Sequence, residues 1–83
     1  MGATRKFSAT ASDTYFPVSV VVRGRRVRLH LHFDDDGGFW VDSPDLRGLV
    51  TQGDSTDEAV VNGVDAALTL LEARERLRKR RAR

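Results

Sequence analysis

The chain contains no cysteine. A disulfide framework and thiolate metal sites are both excluded. No apolar run approaches the roughly 18 to 20 residues of a membrane-spanning helix, so no membrane partner is expected. The N-terminus lacks the charged-then-apolar architecture of a secretory signal, and the expected location is cytoplasmic. There is no internal repeat and no sign of a second domain in the 83 residues. A chain this short buries only about 60% of its unfolded surface, so one small domain is expected and a partner could supply part of its stability.

Charge is present, and it is unevenly placed. Residues 1–28 carry six basic side chains and one acid, a net of +5. Residues 29–72 carry Arg47 against ten acids, a net of −9. Residues 73–83 carry seven basic side chains and Glu75, a net of +6, and the three blocks add to the overall +2. An acidic middle favours a basic partner; basic ends favour a polyanion.

The periodicity gives an α+β fold: an antiparallel sheet of three to four strands with one long C-terminal helix on one face. Residues 1–13 read as a loose arm. Residues 14–26 hold an added N-terminal strand with Val18, Val20 and Val22 on one side, and Pro17 fits an edge or the first residues of a strand, not a central position. Such an edge could pair two copies of the chain as a homodimer. Gly24-Arg25 reads as a tight turn. Val27, Leu29, Leu31 and Phe33 then alternate with Arg26, Arg28, His30 and His32, the period-two mark of a strand with one buried face. Asp34 to Gly38 closes a hairpin. Phe39 and Val41 alternate with Trp40 and Asp42 in the next strand, Pro44 ends it, and Leu49 to Gln52 gives one more short strand.

Ser55 followed by Glu58 is a capping box, and Asp57 and Glu58 suit the positive end of the helix dipole. Val60, Val64, Ala67, Leu68 and Leu71 follow at helical spacing. Gly63 inside the helix costs about 1 kcal/mol relative to alanine, tolerable where the helix must lie close on the sheet. The helix is expected to run through Leu77 and then to fray.

Residues 27–72 resemble the HicB antitoxin family. The resemblance rests on Gly37-Gly38, Phe39-Trp40-Val41, Pro44-Asp45-Leu46-Arg47-Gly48, Thr51-Gln52-Gly53-Asp54, Ser55 and Glu58-Ala59. It implies a partial RNase H-like fold. It also implies the antitoxin role in a type II toxin–antitoxin pair: binding a small basic, mRNA-cleaving toxin of the HicA type and masking its active or RNA-binding surface. Many members also bind operator DNA through a C-terminal module. Residues 73–83 are too few for a helix-turn-helix or ribbon-helix-helix, so operator DNA is a doubtful partner. The segment that carries the resemblance is the −9 segment, the sign that complements an RNA-binding toxin.

The expected toxin-binding residues are Asp34, Asp35 and Asp36 in the turn, Trp40 and Asp42 on the third strand, and Asp45 and Asp54 in the connection. Pro44, Gly48 and Gly53 serve to build that connection. The three consecutive aspartates lack the alternating ligand spacing of a calcium loop and read as a solvated turn or a toxin contact. His30 and His32 offer a metal pair with no third ligand nearby in sequence, and an exposed polar strand face accounts for them better. No cofactor is expected. Asp34, Asp42, Asp45, Asp54 and Glu58 give enough carboxylates for a two-metal nuclease, but turns and a helix cap explain most of them, so no enzyme activity is expected. The alternative function is a free-standing nucleic-acid-binding transcriptional regulator, with Arg74, Arg76, Arg78, Lys79, Arg80 and Arg81 holding phosphate.

Overall fold

The computed structural model describes residues 14–81. The arm read over residues 1–13 lies outside them, as do Ala82 and Arg83. Four strands, β1 (Tyr15–Val22), β2 (Arg25–Phe33), β3 (Phe39–Asp42) and β4 (Val50–Gly53), form one antiparallel sheet in the order β1-β2-β3-β4. A single helix, α1 (Thr56–Arg81), follows and packs on one face. The α+β arrangement read from the periodicity is the one observed.

Each turn follows from local chemistry. Val22 pairs with Arg25, which leaves Arg23-Gly24 as the loop between β1 and β2. Both loop residues have positive φ, 54° and 75°. This matches the two-residue turn that suits the right-handed twist of a hairpin. The turn is thus one residue earlier than the Gly24-Arg25 expected. Between β2 and β3, the Asp34 carboxylate accepts from the backbone N–H of Asp36 at 3.0 Å. The Gly37 N–H donates to Asp34 O, and Gly37 and Gly38 supply the positive φ the turn needs.

The connection from β3 to β4 is a small hydrophobic corner. Ser43 Oγ accepts from the N–H of Asp45 at 3.0 Å and of Leu46 at 3.3 Å. The Leu49 N–H then donates to Leu46 O. The result buries Leu46 and Leu49 fully beside Val27, Leu29, Leu31 and Val41. Each such side chain contributes roughly 1.5–3 kcal/mol.

At the start of α1, Ser55 Oγ accepts from the Glu58 N–H at 3.1 Å, and Glu58 Oε1 accepts from the Asp54 N–H at 2.7 Å. The capping box is therefore formed, with Glu58 reaching one residue before the cap. The apolar stripe read from the sequence faces the core, but of its members only Ala67 lies on the deepest line. Ala59, Gly63 and Ala67 are buried, while Val60, Val64, Leu68 and Leu71 flank them half-buried. Small residues let the backbones approach. A Cβ on Gly63 would lie 2.7 Å from Leu29 Cδ1, and one on Gly53 would lie 2.4 Å from the Ala59 backbone nitrogen. Gly53 is thus required for space, not for positive φ.

The helix does not fray after Leu77 but continues to Arg81. Alanine, arginine, glutamate, leucine and lysine are all strong helix formers. Glu72 and Glu75 also stand four residues before Arg76 and Lys79, the favourable orientation for charge pairs. Every residue from Arg76 to Arg81 is exposed, so this end projects past the sheet.

A polarised surface and a histidine cluster

The hairpin turns sort the charge. The β2–β3 turn and the β4–α1 connection lie at one end of the sheet, because Phe39 pairs with Gly53. Asp34, Asp36 and Asp54 meet there with Gly37, Phe39, Gln52 and Gly53 around a shallow notch of about 280 Å³. Asp57 and Glu58 sit on the adjoining first helical turn. At the other end, the β1–β2 turn meets the C-terminal part of α1. Arg23 donates to Glu75 at 3.0 Å and lies 3.7 Å from Glu72. Arg25 and Arg78 line a second notch beside them. Arg74, Arg78 and Arg81 border a third with Leu77. Among the described residues, charges from separate parts of the chain gather at the two ends of the sheet.

The acidic pole carries an aromatic group that pattern reading missed. The helix starts over β4 and crosses the sheet diagonally: Ala59 sits against Gly53, Gly63 against Leu29, and Glu75 reaches Arg23. That path leaves the far corner of the same face uncovered. Phe16, Phe33 and Phe39 gather at this corner, with Phe16–Phe33 and Phe33–Phe39 ring centroids 5.2 and 5.3 Å apart. Phe33 is 53% exposed and Phe16 45% exposed. Phe39 also lines the acidic notch, so aromatic and carboxylate surfaces are continuous. Phe33 was legible only as the last inward residue of its strand; the signal that it is exposed lies in the helix path.

The opposite face of the sheet holds the histidines. His32 is 4% exposed, contrary to the exposed polar face expected for the pair. Trp40 stacks on it with centroids 3.8 Å apart and planes 8° apart, and Tyr15 tilts against it from β1. Tyr15 also stacks on His30 at 4.0 Å. Trp40 is consequently a half-buried member of a stack, not a projecting side chain. His32 Nε2 lies 2.8 Å from Asp42 Oδ1. Antiparallel pairing sets His30 opposite Asp42, so β3 supplies the third ligand type that the sequence around the histidines lacks. One potential ligand atom each from His30, His32 and Asp42 lies within 4.8 Å of the others.

Asp45 and Arg74, also among the expected contact residues, are engaged within the chain as well. Asp45 receives a hydrogen bond from the Arg28 guanidinium on each oxygen, at 2.6 and 3.1 Å, and a third from the Arg28 backbone N–H at 2.8 Å. These bonds hold the Asp45 carboxyl down at about 2 and push Arg28 up. Arg74 donates to the carbonyl of Arg47 at 3.0 Å and ties the helix to the corner. The remaining expected cations, Arg76, Arg78, Lys79, Arg80 and Arg81, are exposed on the projecting helix end. Asp35 is exposed at the tip of the β2–β3 turn.

No helix among the described residues is long and apolar enough to cross a membrane. Comparison with protein-family models, with curated proteins and with solved structures finds no match to this chain.

Proposed function

We propose that the chain is a HicB-like antitoxin, cytoplasmic and non-enzymatic, that binds and neutralises a small basic mRNA-cleaving toxin of the HicA type. The observation that carries this reading is the acidic pole. Exposed phenylalanines stand beside carboxylates on a continuous surface, at the corner of the sheet that the helix leaves bare. Exposed apolar surface rimmed by charge is the usual character of a protein-docking site. Its sign complements a toxin that must hold RNA phosphates. Within this surface Phe33, Phe16, Asp34, Asp36 and Asp54 make the contact, with Asp35 at the edge. Trp40 and Asp42 lie on the other face of the sheet, and Asp45 serves Arg28.

The test uses a small basic protein that co-purifies with the tagged chain from its host and cleaves RNA by itself. The purified chain is expected to stop that cleavage at one equivalent. The triple variant Asp34→Lys, Asp36→Lys, Asp54→Lys should slow association at least tenfold at low salt. Unchanged cleavage in the presence of excess chain would overturn the reading.

The basic pole favours a second reading, a nucleic-acid-binding regulator. Arg25 of the hairpin stands with Arg78 of the helix, so both basic blocks contribute to one cationic surface. Such a surface would bind DNA or RNA with affinity falling steeply as salt rises. Replacing Arg78, Lys79, Arg80 and Arg81 with alanine should abolish that binding.

A further inference from the structure

We propose that His30, His32 and Asp42 form a binding site for one divalent transition-metal ion on the sheet face opposite the helix. Two imidazoles and a carboxylate are the donor set that suits zinc, nickel, cobalt or copper. The placement follows from sheet geometry. His30 and His32 share a face because they are two apart on β2, and Asp42 is the cross-strand partner of His30. The three potential ligand atoms lie within 4.8 Å of one another.

The distances suit a small cation. Metal–ligand bonds of about 2.0–2.1 Å put neighbouring ligand atoms about 2.9–3.4 Å apart. His32 Nε2 and Asp42 Oδ1, at 2.8 Å, are already at that spacing. His30, with its ligand atom within 4.8 Å of the other two, closes the set by a small in-plane shift of its half-buried ring over the face of Tyr15. An ion between Nε2 and Oδ1 replaces the hydrogen bond joining them, with the proton of the neutral imidazole then carried on Nδ1.

The His32 ring is also held in place, and the His30 ring is confined to the plane of its stack. Trp40 covers the face of His32, and Tyr15 covers the face of His30. Stacking engages ring faces and leaves the in-plane nitrogen lone pairs directed along the ring edges. Ligands whose rotamers are fixed by packing lose less freedom when an ion binds. Three protein ligands on a sheet face leave coordination positions for water or for a group from another molecule.

Trp40 is the only tryptophan, and its ring lies 3.8 Å from that of His32, so it reports on the site directly. The experiment is a titration of the tag-free full chain at neutral pH with Ni²⁺ alone and Cu²⁺ alone, following tryptophan emission, with Zn²⁺ binding measured by calorimetry. The expected result is saturable quenching at one ion per chain, reversed by a chelator. His30→Gln and Asp42→Asn, which preserve size and polarity, should each weaken binding at least tenfold with unchanged circular dichroism. Absence of saturable binding would overturn the proposal. So would affinity unchanged in both variants, since the ion would then sit elsewhere. The readout needs no toxin or nucleic acid, so its outcome is independent of the proposed function.

Discussion

Arg28 and Asp45 are joined three times: the guanidinium donates to both carboxylate oxygens, and the Arg28 backbone N–H donates to one of them. The pair ties the middle of β2 to the corner that follows β3. A carboxylate held by such bonds stays ionised well below its ordinary range. Because the folded value is depressed to about 2, the stability it contributes is fully present above the ordinary value near 4. It is lost as pH falls through about 2. Asp45→Asn should therefore lower the urea midpoint by a constant amount above pH ~5. The difference from the natural chain should shrink towards zero near pH ~2.

The two buried-glycine contacts predict unequal effects. At Gly53 an added methyl meets the backbone of Ala59, which cannot turn aside. At Gly63 it meets the end of the Leu29 side chain, and alanine also improves helix propensity by about 1 kcal/mol. Gly53→Ala should cost about 2–3 kcal/mol, near the upper part of the overpacking range. Gly63→Ala should fall within about 1 kcal/mol of neutral. Chemical denaturation of both variants checks the order.

Ser55 accepts from the Glu58 N–H at the start of α1. Ser55→Ala removes that acceptor and should cost about 1 kcal/mol, whereas Ser55→Asp should retain most of the stability. Thermal unfolding of the pair separates loss of the cap from a general effect of substitution.

Phe33 tests the docking surface apart from the fold. At 53% exposure it contributes little to the core. Phe33→Ser should cost about 1–2 kcal/mol, from the lost ring contacts with Phe16 and Phe39, and leave the chain folded. In the proposed role it should weaken toxin binding tenfold or more, a loss of about 1.4 kcal/mol. Unfolding and calorimetric binding on the same variant give both numbers.

Much of this architecture is local and was therefore readable along the chain. Alternation at Val27, Leu29 and Leu31 sets a strand with one buried face, because successive side chains on a strand point to opposite sides. Ser55 and Glu58 set the helix start through hydrogen bonds spanning three and four residues. Turn-forming glycines and aspartates set the hairpins, although the first turn lies one residue earlier than composition suggests. The helix runs past Leu77 to Arg81 because arginine and lysine favour helix even at high charge density.

What only the tertiary structure decided is whatever depends on two elements meeting. The helix crosses the sheet diagonally, closest at Gly53 and Gly63, and that path leaves Phe16 and Phe33 bare. The sequence shows alternating blocks of charge; strand reversal brings Arg25 beside Arg78 and gathers Asp34, Asp36 and Asp54. His30 and His32 are two apart in the chain, but their company of Asp42, Trp40 and Tyr15 comes from three strands in register. Sequence spacing fixes which side of its own strand a residue occupies. Which residues of other strands it faces is set by register, and register comes from turns and from burial of the whole sheet face.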